Sequence, residues 1–336
     1  MIKERAAHIC TRREQKLLIA AAVASAAWLV MAAGVRGDEA TRGLSSADRS
    51  KLHEPVFRVS KQPDAGALQQ VAAAVPASSS SLADRELLAE PAREPSAQAD
   101  GHPLDPALAM AFDSLRHVEK HVDDYTCTLV KRERVHGELL EHEFISCKIR
   151  HGRENGSVPF SVYLAFRKPD TMKGREVIYV EGQNGGKVVA HEGGFKGRFL
   201  PTVDLMPTSA LAMKGNRYPI TEIGILTLTR RLIEKGERDR RQGECHVRMV
   251  EGAKVRDRVC TMLEVVHPEP RPHFDFHLAR VFMDDELKLP IRYEAYGWPS
   301  AGEKPPLLEE YTYMDVKVNV GLTDEDFSRA NPKYRF

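Results

Sequence analysis

Apolar residues run without a charge from Leu17 to Val35, thin out as far as residue 102, and then return in short ordered patterns to the C-terminus. The first of these patterns is helical. Leu108, Phe112, Leu115, Val118 and Val122 recur at intervals of three and four across Pro106–Val122, which puts them on one stripe of an α-helix. Asp105 before Pro106 reads as an N-cap with proline at the first helical position. The period then drops to two. Tyr125, Cys127 and Leu129 share one face of a strand, and a return strand over Leu139–Arg150 carries Ile145, Cys147 and Ile149 on its matching face. Pairing about Gly137 sets Leu129 against Ile145, Cys127 against Cys147 and Tyr125 against Ile149. One register therefore satisfies the apolar pattern and the cysteine pair together.

Further strands are predicted at Phe160–Phe166, Val177–Glu181 and Lys187–His191, the last two joined by the turn Gln183-Asn184-Gly185-Gly186. Phe195–Leu200 reads as another strand behind Gly193-Gly194. Two helical pieces follow, Ser209–Lys214 and Ile220–Lys235, the second ended by Gly236 as a C-cap. Strands resume at Cys245–Val250, Val255–Val266, Phe274–Asp284, Leu289–Tyr296 and Leu308–Val318. The pattern amounts to roughly eleven strands and three helices without βαβ alternation, an α+β class dominated by antiparallel β.

Composition divides the chain before that ordered part begins. Residues 1–37 start with a basic stretch (Lys3, Arg5, Arg12, Arg13, Lys16) followed by the apolar run, the form of a secretory signal. The run is also about long enough to span a bilayer, so an uncleaved N-terminal membrane anchor stays open beside a cleaved signal peptide. Either reading makes the protein an exported one of the periplasm or cell envelope. Residues 38–102 are rich in Ala, Ser, Pro, Glu and Gln, with runs such as Ala72–Ser81 and Glu90–Ala99. Such a composition buries too little apolar surface to fold, and it predicts a disordered linker. Residues 103–336 form one β domain. Net charge is +1 over 336 residues, so no global field recruits nucleic acid. The basic runs Arg230-Arg231 and Arg238–Arg241 are expected on a solvated helix face.

Three runs carry a family likeness: Tyr125–Glu133, Gly174–Val180 and Arg217–Gly224. They resemble an uncharacterised bacterial domain-of-unknown-function family over about Pro103–Phe336. The turn from Asp284-Asp285 into Leu289-Pro290-Ile291-Arg292-Tyr293, with the closing Leu322–Phe327, also looks like the C-terminal half of the periplasmic LolA/LolB-like lipoprotein carriers. That resemblance implies a curved antiparallel sheet, an incomplete β-barrel with covering helices, and no established catalytic residue. An open barrel of this kind offers an apolar face for an acyl chain. The alternating strands supply its candidates: Leu129, Ile145, Phe160, Val162, Leu164, Phe166, Val177 and Tyr179. Each of them serves equally well as ordinary core.

Little else in the chain suggests chemistry. Cys127 with Cys147, and Cys245 with Cys260 placed symmetrically about Gly252-Ala253, are candidate cross-strand disulfides. His273, Asp275 and His277 would share one side of a strand and are a candidate metal set. His117 and His121 lie four apart on the first helix, but Val118 stands where a metalloprotease helix needs its glutamate. No nucleophile elbow, phosphate loop or dinucleotide fingerprint occurs. The sequence points to a non-enzymatic envelope protein that binds a lipid or lipoprotein acyl group, with no cofactor. Two rivals remain open: a membrane-anchored module that binds an envelope protein partner, and a metal-dependent hydrolase.

Overall fold

The structure, a computed structural model, describes residues 57–58, 101–153, 156–197 and 199–336. The segment read as a signal peptide or anchor, residues 1–37, lies outside the described residues, and so does nearly all of the linker read over 38–102. Within the linker, Phe57–Arg58 forms a short strand, β1, against Lys254 and Val255.

Thirteen strands make one open antiparallel sheet. They are β1 (Phe57–Arg58), β2 (Asp124–Val135), β3 (Glu138–Leu139), β4 (Glu143–Arg150), β5 (Ser161–Lys168), β6 (Glu176–Val180), β7 (Val188–His191), β8 (Val203–Leu205), β9 (His246–Val255), β10 (Arg258–Val266), β11 (Leu278–Asp284), β12 (Pro290–Tyr296) and β13 (Leu307–Val318). Twelve run in the order β1-β9-β10-β11-β12-β13-β2-β4-β5-β6-β7-β8, with β3 attached to β2. The first and last strands of this path do not meet, so the sheet is unclosed. Two helices cover it, α1 (Asp105–His121) and α2 (Ile225–Gln242).

The first hairpin has the register that its sequence pattern demands: Cys127 faces Cys147, Leu129 faces Ile145 and Tyr125 faces Ile149. Helix α1 begins one residue early, at Asp105, whose carboxylate accepts the His102 N–H at 2.9 Å. Several expectations fail at the level of local structure. No strand occurs among the described residues of Phe195–Leu200; residues 194–197 form one helical turn, and β8 follows at Val203. Ser209–Lys214 is a series of turns. Gly236 does not end α2, which continues to Gln242 and stops at Gly243 in the left-handed conformation. A Cβ at Gly236 would lie 2.9 Å from Leu108 Cδ2, so this glycine lets α1 approach. Finally, the β9–β10 turn sits at Arg256-Asp257, not at Gly252-Ala253. Gly252 instead occupies a bulge, where the register slips between Cys260 and Met262.

Alternation assigns the two faces. On the helix side, Tyr125, Leu129, Ile145, Ile149 and Val162 pack with Val118 of α1 and Ile225 of α2. A second cluster joins Leu104, Ala107 and Leu108 to Val265, Ala279, Val281 and Tyr293. The Tyr125 hydroxyl accepts the Ile225 N–H at 2.9 Å, satisfying one of the free donors at the start of α2. On the opposite face, the C-terminal segment packs through Phe327, Tyr334 and Phe336 onto Tyr163, Ile178 and Val189. Asp124 fixes the start of that segment by accepting the N–H groups of Val320, Gly321 and Leu322.

Candidate functional site

All eight candidate cleft residues fall in one apolar cluster: Leu129, Ile145, Val162, Leu164, Phe166 and Tyr179 are buried, and Phe160 and Val177 are partly buried. Ile220, Ile223, Leu226 and Leu228 pack against the same cluster from the helix side. These eight belong to the core cluster that packs against α2. An apolar space lies further along the same face, where α1 and α2 cross β10–β12. It is a cavity of ≈ 70 Å³ walled by Leu104, Ala107, Leu108 and Ala111 from α1 and its approach, Leu232 and Gly236 from α2, and Val265, Ala279, Val281 and Tyr293 from the sheet. None of the eight candidates lines it. The signal that sequence reading passed over is side-chain size. Ala107, Ala111, Gly236 and Ala279 are small residues at facing positions, and small residues that meet leave space.

Two polar groups mark the cavity's α2 wall, Lys235 and Asp239. Lys235 reaches out to Asp275 at 2.7 Å, and Arg238 bonds the same carboxylate at 2.9 Å. Burial raises the Asp275 pKa, but these two cations outweigh it and hold the carboxyl below its ordinary range. Asp239 is buried, and burial pushes its pKa up. Its partner is His267, fully buried, with Nε2 3.5 Å from Asp239 Oδ2 and Nδ1 3.1 Å from the Phe276 carbonyl. Burial holds the imidazole below its usual pKa, so it stays neutral. His267 also stacks on Phe274 with ring centroids 3.8 Å apart. Together these contacts tie the loop before β11 to the last turns of α2.

At the other side of Tyr293 the helix-covered face turns polar. Tyr293 stacks on Tyr311, whose hydroxyl donates to Glu133 and lies 3.3 Å from Glu309. Lys131 lies 3.2 Å from Glu133 and 3.4 Å from Glu143, and it donates to Asn216 at 2.6 Å. Arg217 pairs with Glu309 at 3.0 Å. Burial is the first cause that raises the Glu143 pKa, with Lys131 opposing it. The inward positions of β2 thus run Tyr125, Cys127, Leu129, Lys131, Glu133, apolar and then charged.

The face away from the helices carries a ladder of ions across five strands. Arg248 bonds Glu264 (2.9 Å), Glu264 bonds Arg280 (2.7 Å), and Arg280 bonds Glu294 (3.1 Å). Arg292 then bridges Glu294 and Glu310, each at 2.8 Å, and His142 closes on Glu310 at 2.8 Å. Burial works against Glu264 and Glu310, but their cationic neighbours still hold both below the ordinary carboxylate range. A separate cleft of ≈ 700 Å³ opens between β6–β7 and residues 324–331, floored by Ile178, Val180 and Phe327 and rimmed by Arg150, Lys187 and Arg329.

The candidate metal set is not assembled. His273, Asp275 and His277 lie in the loop before β11, which begins only at Leu278. Asp275 is held by Lys235 and Arg238, and His277 Nδ1 bonds the His267 carbonyl at 2.9 Å. No group of three or more His, Cys, Asp or Glu side chains is placed to hold a metal ion among the described residues. No disulfide joins the four cysteines from Cys127 onward in this structure. Cys127 and Cys147 do face one another. Cys245 and Cys260 do not: Cys260 pairs with Ala253, and Cys245 precedes His246, which pairs with Val266. The displaced turn separates that second pair. His117 and His121 stand with ring centroids 5.2 Å apart on α1.

Comparison with known proteins adds the lineage. The chain is similar to a lipoprotein LppX from Mycobacterium tuberculosis (13% identity, 65% of this chain and 98% of that one, TM-score 0.35). It is similar to a DUF1329 family protein from Desulfovibrio piger (11% identity, 68% and 98%, TM-score 0.34). A LolA superfamily protein from Nitrosomonas europaea is a third such structure (11% identity, 66% and 97%, TM-score 0.26). No curated protein matches the sequence. Residues 122–336 match the family described as a protein of unknown function, DUF1571, and the chain belongs to that family.

Proposed function

We propose that this protein is a non-enzymatic, exported envelope protein that takes up an acyl chain of a lipid or lipoprotein between its two helices and its sheet. The observation that carries the reading is the cavity under α1 and α2, walled by aliphatic side chains from both helices and three strands. A largely apolar space of this kind gains free energy when it is filled by hydrocarbon, at roughly 0.8 kcal/mol per buried CH₂. At ≈ 70 Å³ the space is smaller than the ~150 Å³ cavity that accommodates a benzene ring. Uptake therefore requires the helices to lift from β10–β12. Two ion pairs at the rim join the helices to each other, Arg230 with Glu119 at 2.8 Å and Arg240 with Asp105 at 2.5 Å, and Lys235 and Arg238 tie α2 to Asp275 beside the sheet.

Titration with an environment-sensitive fluorescent fatty acid tests the proposal. Wild-type protein should bind the probe saturably, and Ala111→Trp, which places an indole at a partly exposed wall position, should reduce affinity by about tenfold or more. A wild-type protein that neither carries lipid in native mass spectrometry nor binds the probe sinks the idea.

A further inference from the structure

Seven large apolar side chains are exposed among the described residues, and four of them, Phe199, Leu200, Met206 and Leu211, fall within thirteen residues flanking the edge strand β8. Met206 is 50% exposed and Leu211 59%. Isolated exposed apolar residues need no explanation, but a cluster of this density does.

The segment is not loose. On one side, β8 holds it to β7 in register, Val203 opposite Ala190 and Leu205 opposite Val188. On the other, Asn216 accepts from Lys131 at 2.6 Å, the Arg217 N–H donates to Glu133 at 3.1 Å, and the Arg217 side chain bonds the Arg134 carbonyl at 3.0 Å. Residues 206–218 are thus a strap anchored at both ends to the sheet, with Met206 and Leu211 turned to solvent. The strap runs through Gly224 directly into α2, the helix that roofs the cavity.

Charge selects what the strap meets. The stretch 196–214 carries Lys196, Arg198 and Lys214 against the single acid Asp204, and Asp204 is bonded by Asn184 at 3.0 Å. Apolar side chains on a basic segment match the interface of an anionic bilayer, where hydrocarbon and phosphate lie within a few ångströms of each other. We propose that the strap seats on an anionic lipid surface through Met206 and Leu211, with Phe199 and Leu200 exposed on the chain just before β8. This places the roof of the cavity at the membrane from which a lipid would enter, and in that respect it rests on the acyl-binding reading above.

Hydrogen–deuterium exchange of the full chain, with and without vesicles, tests it locally. The N-terminal apolar run is the same in every variant and cannot account for differences at the strap. Vesicles of equal parts phosphatidylcholine and phosphatidylglycerol should slow exchange in peptides spanning 199–214, and pure phosphatidylcholine should slow it less. Met206→Ser with Leu211→Ser removes only exposed side chains, so folding survives, and strap protection should fall by about tenfold. Equal exchange with and without vesicles, equal protection on the two lipids, or full protection in the double variant overturns the proposal. Protection that requires an added envelope protein and not lipid overturns it as well. Ala111→Trp separates the two readings: it should lose the fatty-acid probe yet keep strap protection. If wild-type protein shows strap protection without binding the probe, the acyl-binding reading fails and the docking surface stands.

Discussion

Among individual side chains, the facing cysteines and the buried histidines make the clearest commitments. Cys127 and Cys147 are opposite partners on β2 and β4, 7% and 3% exposed. Opposite positions in an antiparallel pair lie within disulfide reach. We expect protein from an oxidising compartment to join them while Cys245 and Cys260 remain thiols. Peptide mapping without reductant checks the pairing, and any Cys245–Cys260 peptide contradicts the register. Reduction should cost roughly 3 kcal/mol of stability, the chain-entropy value for a loop of about this size. His151 and His267 make a second commitment. Burial is the main cause that lowers both pKa values, against hydrogen bonds to the carbonyls of Val122 and Phe276. A histidine with a lowered folded pKa takes up its proton more readily in the unfolded chain. Its contribution is therefore complete above the unfolded value near 6.5 and is lost as pH falls below it. Asp239 acts oppositely. Its raised pKa favours the folded state below about 3.8 and loses that effect as pH rises through the folded value. Urea denaturation should thus show lower stability at about pH 5.5 than at pH 7.5, and His151→Asn, which keeps a donor for Val122, should flatten that slope. An unchanged slope removes His151 from the account.

At the level of strands and helices, the ion ladder across β9–β13 joins groups of unequal weight. Arg292 is 4% exposed and bridges two buried carboxylates, Glu294 and Glu310. Arg292→Ala leaves both without this cation and should destabilise by about 3–5 kcal/mol. Arg248 stands at the outer end with a side chain 43% exposed, and Arg248→Ala should cost under ~1 kcal/mol. Thermal or urea unfolding of the two variants gives the comparison, and similar losses would mean that burial does not grade the ladder. The ladder was hidden in the sequence because its members are contributed by separate strands, and only the pairing order brings them side by side. What could be read was local. The hairpin about Gly137 and the turn at Asn184-Gly185-Gly186 are set by neighbours in the chain, and both stand. The β9–β10 turn was misplaced because Gly252 offers a turn as readily as a bulge, and the pairing of β10 with β11 decides between them. Gly236 misled for a similar reason: a glycine near a helix end resembles a cap until the partner helix is seen beside it.

In the whole molecule, alternation gave an antiparallel, β-dominated α+β pattern and the family resemblance gave its open sheet with covering helices, yet neither could distinguish packed core from empty space. Phe160, Val162 and Leu164 alternate as cleft residues would, and they belong to a core cluster against which Ile223 and Leu226 pack. The cavity opens instead where alanines and a glycine meet, and its access depends on how firmly α2 is held. Asp275 is the tether that joins the loop before β11 to Lys235 and Arg238 of α2. Asp275→Asn keeps the size of the side chain and removes its charge, so both ion pairs weaken while the cavity walls stay unchanged. A lid equilibrium then shifts toward the lifted state, and apparent affinity rises with the fraction of molecules that are open. We expect the variant to bind the fatty-acid probe faster in stopped-flow fluorescence and to melt slightly lower. The carboxylate is nearly half-exposed, so the stability loss should stay within about 1 kcal/mol. If binding instead slows or keeps its rate while the melting temperature falls, α2 is not the moving element, and entry must be sought at α1, whose ion pairs with Arg230 and Arg240 are the remaining rim contacts between the helices.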